Sequence, residues 1–156
     1  MTDTINLTVN GNRYGIEAEP DTPLLYLLRN NLLLNAPKYG CGMERCGSCM
    51  VLLNGNAQPS CKITSSAAAA FDIITLEGLG NADALHPVQR AFIEEQSAQC
   101  GYCLNGMIMC AKALLEVNHN PSDAEIRQAL QRVLCRCGTH TRMIKAVKKA
   151  AQIWKR

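Results

Sequence analysis

Aromatic residues are scarce in this chain, at 4% of 156 residues, although apolar residues as a whole reach 47%. Its core must therefore be built mainly from aliphatic and sulfur-bearing side chains. Long apolar runs are also missing. No stretch approaches the roughly 18 apolar residues that a membrane-spanning helix needs, so no membrane span is expected. The first residues, MTDTINLTVNGNRYG, carry no basic stretch followed by an apolar one and no twin arginine. No targeting signal is expected from them, which points to the cytoplasm, or to the periplasm only as a passenger on an exported partner. A strong charge of one sign is lacking too. The formal net charge of +3 gives no reason to expect a nucleic-acid partner. There is no G-x-G-x-x-G, no P-loop and no Ser/His/Asp set, so no nucleotide-binding or hydrolytic site is expected on this chain.

Cysteine is what the chain has in excess, with nine residues. A disulfide framework fits poorly. The number is odd, the chain is not small, and nothing indicates an oxidising compartment. Metal ligation fits better, and the cysteines sort into two sets. Cys41, Cys46, Cys49 and Cys61 form C-x4-C-x2-C plus one distant Cys. This is the plant-type spacing for a [2Fe–2S] cluster. Gly40, Gly42 and Gly47 let backbone N–H groups turn towards the sulfurs. Zinc sites more often use C-x2-C pairs at both ends. The second set is Cys100, Cys103, Cys135 and Cys137, in QCGYC and LCRCG. Its spacing is not that of a zinc ribbon, and a thioredoxin-like C-x-x-C would need a βαβ context. Spacing alone leaves zinc and iron–sulfur open here; the plant-type site in the same chain favours iron–sulfur. Cys110 lies on a helical apolar pattern and reads as a small core residue.

Apolar alternation at Ile5, Leu7 and Val9 predicts a strand, and Asn10-Gly11 a tight turn into a second one. Thr22-Pro23 opens a short helix over LLYLLRN, with Thr as N-cap. Residues 50–61 read as strand, Asn54-Gly55 turn and strand, and 72–76 as a last strand. The composition shifts at 77–85, EGLGNADAL, which reads as a linker. Four amphipathic helices follow. Their faces are Val88, Ala91 and Phe92; Leu104, Met107, Ile108, Ala111 and Leu115; Ile126, Leu130, Val133 and Leu134; and Met143, Val147, Ala150 and Trp154. Ser122 and Glu125 form a capping box. The expected fold class is α+β, a small sheet domain over 1–76, the linker over 77–85 and a helical bundle over 86–156. Both pairs of the second cysteine set fall just before a helix, where free N–H groups favour an anionic ligand set. After Glu125 there are nine Lys or Arg and no acid. Lys145, Lys148, Lys149, Lys155 and Arg156 read either as a solvated face that complements the helix dipole, the better reading, or as a docking surface for an acidic partner.

The segments YGCGMERCGSCMVLLNG, AQCGYCLNGMIM and LCRCGTHTRMIKAV together resemble the small iron–sulfur subunit of the molybdenum hydroxylases, the xanthine oxidase family. The CRCGT wording is similar to its isoquinoline oxidoreductase and nicotinate dehydrogenase types. The resemblance covers essentially the whole chain. It implies a ferredoxin-like β-grasp domain followed by a four-helix bundle, with one [2Fe–2S] cluster in each. It also implies a molybdopterin cofactor on a large partner subunit, with Gln99 and Cys137 approaching the pterin. Electrons would pass onward to FAD on a medium subunit or to a cytochrome. The substrate of such a complex would be an N-heterocycle or an aldehyde, oxidised with oxygen from water. Leu104-Asn105 stands where relatives often carry Thr-Pro, and His140 where they often carry an aromatic residue; both are expected near the partner face, His140 as a surface or packing residue. The alternative function is a free-standing two-cluster ferredoxin-type carrier, against which the added helical part argues.

Overall fold

The computed structural model describes residues 2–154, so Lys155 and Arg156 lie outside the described residues. The N-terminal part is a five-stranded sheet of β1 (Asp3–Val9), β2 (Asn12–Ala18), β3 (Met50–Leu53), β4 (Asn56–Pro59) and β5 (Asp72–Ile74), in the order β2-β1-β5-β3-β4. Strands β1 and β5 run parallel, and the other pairs are antiparallel. This is the expected β-grasp arrangement. Both Asn-Gly turns form as the sequence predicts, with positive φ at Asn10 and Gly11 and at Asn54 and Gly55.

The first helix departs from expectation. It is a single α-turn, α1 (Leu24–Tyr26), that widens into a π-turn over Leu27–Asn31. Pro23, not Thr22, occupies the N-cap position, and no side chain caps it. A short helix, α2 (Ser65–Ala68), has no counterpart among the predicted elements; Thr64 caps it, its hydroxyl accepting from the Ala67 N–H. The last strand ends at Ile74, and a 3₁₀ turn follows over Leu76–Gly78.

The four predicted helices are α3 (Pro87–Glu94), α4 (Leu104–Val117), α5 (Asp123–Leu130) and α6 (His140–Ile153). Among the described residues no helix is long and apolar enough to cross a membrane. The Ser122–Glu125 capping box is present. Of the predicted apolar faces, Leu134 is the exception: it is 69% exposed. Strand alternation explains how sheet and helices meet. Val51 and Leu53 enter the sheet core with Leu7, Val9 and Ile73, whereas Met50 and Leu52 enter the helical core with Met107, Ala111 and Val147.

His86 caps α3. The Val88 N–H donates to its Nδ1 at 3.2 Å, and its own N–H donates to Gln89 at 2.9 Å. Its ring meets Trp154 edge-on at 4.6 Å. Burial, and then the charge of Lys112, hold the imidazole below its ordinary value of 6.5. As the pH falls below 6.5 the unfolded chain takes up this proton before the folded one does. Stability is therefore full above that pH and declines as the pH drops through the folded value. Thermal unfolding between neutral and mildly acidic pH should show this slope, and His86→Asn, a cap that does not titrate, should flatten it. An unchanged slope in the variant would remove His86 from the explanation.

Candidate metal centres

The first cysteine loop lies between the π-turn and β3. Positive φ at Gly42, Glu44 and Gly47 curls its backbone, so that successive N–H groups face inward as an anion-binding nest. The N–H groups of Met43, Arg45 and Cys46 all donate to Cys41 Sγ, at 3.2–3.3 Å. The Cys41 N–H donates to Cys46 Sγ at 3.3 Å. Gly40 is required here: a Cβ on it would lie 2.6 Å from both Cys46 Sγ and Ser48 Oγ. Cys49 and Cys61 sit deeper, packed against the fully buried Leu25. The four sulfurs thus form two pairs, Cys41 with Cys46 and Cys49 with Cys61.

Electrostatics follow the same division. Desolvation pushes the Cys41 thiol up, but the three N–H donors and the Cys46 side chain outweigh it and bring it down to about 7. For Cys49, burial and then the neighbouring Cys61 outweigh the Cys61 and Ser60 N–H groups and push it up to about 11.

The second set is built the same way. Cys103 is the N-cap residue of α4, and Cys135 and Cys137 lie on the turn leading into α6. Sγ of Cys100 and Sγ of Cys137 are 3.5 Å apart at the exposed rim. Cys103, buried, pairs with the half-buried Cys135. Burial and the Cys135 thiol push Cys103 up to about 12. Burial also raises Cys135, but the N–H and hydroxyl of Thr139, with help from Cys103 and the Gly138 N–H, bring it down to about 7. The Tyr102 N–H, then the Cys137 thiol, lower Cys100. All four cysteines line one small cavity, together with Gln99, Thr139 and Met143. Gln99 is exposed at its edge, on the Cys100–Cys137 side.

Both donor sets fit a two-iron cluster. A [2Fe–2S] core takes four thiolates, two on each iron, and each set here consists of two pairs. The two loops also touch. The Leu134 N–H donates to the Cys46 carbonyl at 2.9 Å. The Tyr102 hydroxyl donates to the Tyr39 carbonyl, and Arg132 donates to the Ala57 carbonyl at 2.9 Å.

Other assignments resolve as follows. Cys110 is a buried core residue whose thiol burial pushes up to about 11. His140 is exposed at the first position of α6, in a cleft shared with Arg45, Arg127 and Cys135. Asn105 does not lie on an outer face, contrary to expectation; it is buried against the first cysteine loop. No signal in the sequence marks that contact. The basic surplus of α6 is partly spent within the chain, because Lys148 pairs with Asp123, and Lys149 with Glu94 and Glu95. That favours the solvated-face reading over a docking surface.

Two family models match the chain, one over each cysteine set. One described as "2Fe-2S iron-sulfur cluster binding domain" matches residues 7–72, and one described as "[2Fe-2S] binding domain" matches residues 75–148. The chain is 57% identical to a nicotinate dehydrogenase subunit of Pseudomonas putida over 152 residues, covering 97% of each. It is 45% identical to the alpha chain of isoquinoline 1-oxidoreductase of Brevundimonas diminuta, covering 95% of this chain and 97% of that one. A chain of the quinoline 2-oxidoreductase structure from Pseudomonas putida 86 superposes with a TM-score of 0.91 at 33% identity, over 97% of this chain and 94% of that one.

Proposed function

Because this chain belongs to the [2Fe–2S] iron–sulfur subunits of the molybdenum hydroxylase family, we propose that it relays electrons through two clusters held by the cysteines named above. Cys41 and Cys46 ligate one iron of the first cluster, and Cys49 and Cys61 the other. Cys100 with Cys137, and Cys103 with Cys135, divide the second cluster in the same way. The first site belongs to a domain over 1–76 and the second to one over 86–156, joined by 77–85. The observation that carries this reading is the division of both cysteine sets into two pairs, in loops bonded to each other. Each cluster, when bound, takes up and gives back one electron.

The chain's own groups do the rest. The three N–H groups on Cys41 Sγ stabilise negative charge at the outer edge of the first site. Leu25 and the strand ends keep water from Cys49 and Cys61. The second site has its exposed rim at Ala98, Gln99, Cys100 and Cys137. That rim faces the pterin of a large molybdenum subunit, with Gln99 and Cys137 nearest to it. Met43, Glu44 and Arg45, exposed on the first loop, face the acceptor, which is FAD on a medium subunit or a cytochrome. The two relatives of 57% and 45% identity come from enzymes named for nicotinate and isoquinoline, which supports an N-heterocycle as substrate ahead of an aldehyde. The complex is cytoplasmic, unless an exported partner carries it to the periplasm.

Purified with its natural partners, the chain should contain about four iron atoms and show two distinct signals in electron paramagnetic resonance (EPR) once reduced. Zinc in their place, or a single signal, would contradict the reading. Gln99→Ala should slow reduction by substrate and leave reoxidation by the acceptor unchanged in stopped-flow half-reactions. The reverse pattern would invert the assigned direction.

A further inference from the structure

Asn105 is a polar residue in the most buried stretch of α4, with 1% of its surface exposed. Its Nδ2 donates to two carbonyl oxygens, those of Ser48 at 3.0 Å and Met50 at 2.9 Å. Two acceptors fix the orientation of the amide, because Oδ1 could not stand opposite them. Oδ1 itself is enclosed and accepts no hydrogen bond. An apolar side chain of similar size would avoid that orphaned oxygen. Packing alone therefore does not account for an asparagine here.

The two carbonyls flank Cys49. Along an extended segment, successive carbonyls point to opposite edges. The Cys49 carbonyl points to the β4 edge, where the Ser60 N–H and hydroxyl donate to it at 3.2 and 2.8 Å. The Ser48 and Met50 carbonyls point to the other edge. There β5 pairs only with Leu52 and Leu53; the Lys38 N–H also donates to the Ser48 carbonyl at 3.0 Å, and the Asn105 side chain bonds both carbonyls where the strand is missing. Cys49 is thus gripped at both edges, and one grip comes from a residue two positions beyond Cys103. Two further bridges are the Leu134–Cys46 bond, one residue before Cys135, and the bond from the Tyr102 hydroxyl, one residue before Cys103, to the Tyr39 carbonyl, two residues before Cys41. Each bridge joins a segment bearing a first-set cysteine to a segment bearing a second-set cysteine.

We propose that Asn105 is the positioning residue for electron exchange between the two centres. Its carboxamide fixes the Cys49 segment against the Cys103 segment and, with the Leu134–Cys46 and Tyr102–Tyr39 bonds, supplies the bonded routes between them. This rests on the reading that each cysteine set holds a [2Fe–2S] cluster. In the exchange one cluster is oxidised and the other reduced by one electron, and no bond or proton changes place. The rate then depends on separation and on the connecting bonds, and Asn105 governs both.

The test uses the intact complex with Asn105→Leu, which removes both donors at similar volume, and Asn105→Ser, which keeps one donor. Iron content and the two EPR signals are measured first. If the unsubstituted chain lacks two clusters, the underlying reading fails before any variant is considered. With both clusters retained, Asn105→Leu should slow intercluster exchange after pulsed reduction by about tenfold or more. It should also narrow the splitting that arises from magnetic interaction between the two reduced clusters, and Asn105→Ser should fall between Leu and Asn. Unchanged exchange and splitting in Asn105→Leu would overturn the proposal. If Asn105→Leu does not assemble, the serine variant decides: intermediate exchange supports the proposal, and exchange equal to that of the unsubstituted chain overturns it. Loss of clusters in both variants makes Asn105 a folding residue only and overturns it as well.

Discussion

Cys49→Ser should remove one EPR signature and about half of the iron while the other signature survives. Cys135→Ser should do the same to the other cluster. The reason is spatial. Cys49 belongs to the pair with Cys61 beneath Leu25, and Cys135 to the pair with Cys103 at the start of α4. No cysteine is shared between the two sites. Serine keeps the shape but supplies a hydroxyl in place of a thiolate, so the deficit falls on ligation and not on packing. The functional costs should differ. Without the second cluster, electrons from substrate should not enter the chain, because its rim is the one proposed to face the pterin. Without the first, substrate should still reduce the second cluster, and only reoxidation should fail. Loss of the same signal in both variants would show that the cysteines are partitioned wrongly.

Gly106→Ala should be unusually harmful for so small a change. In an ordinary helix the substitution stabilises by about 1 kcal/mol. Here a Cβ would lie 2.2 Å from the Gly47 carbonyl oxygen and 2.9–3.0 Å from the Val133 methyls. The backbone oxygen cannot rotate away, so α4 must move off the first cysteine loop. Overpacking of this kind costs about 1–3 kcal/mol, and a backbone atom as the obstacle puts this site at the upper end. The thermal midpoint should fall by about 5–10 °C. Both clusters should be disturbed, because Gly47 lies between Cys46 and Cys49 while Gly106 follows Cys103. Gly15→Ala is the control: its Cβ would meet nothing closer than 3.5 Å, in ordinary contact with Thr4 and Asn6. If Gly106→Ala melted with the unsubstituted chain, the close approach of the two loops would not be a constraint on this fold.

Much of this architecture could be read from the chain because its signals are local. The Asn-Gly turns, the strand alternation of Ile5, Leu7 and Val9, the capping box at Ser122 and the placing of Cys103 just ahead of α4 all depend on a few neighbouring residues. The cysteine spacings carried the two sites. What the sequence did not disclose depends on contacts between distant segments. Leu134 fits the apolar pattern of α5, yet that helix ends at Leu130, and the turn that follows aims Leu134 outward with its N–H on Cys46. Nothing near Asn105 says that it will meet Ser48 and Met50. The π-turn after Tyr26 was equally hidden, since Leu27 and Leu28 fit an ordinary helix. The capping role of His86 had no conventional signature, because histidine is not among the usual N-cap residues.

Strand β3 gives Val51 and Leu53 to one core and Met50 and Leu52 to the other. It is a party wall rather than a boundary, and neither half can be demolished without opening the other. Separating the halves at the 77–85 segment would leave the helical bundle without the two side chains that close it and the sheet with one bare apolar face. A chain built this way should melt as a single unit, whatever its number of cofactors. The distance between its two redox centres is then set by this wall together with the Asn105 bonds at its start, and not by the linker.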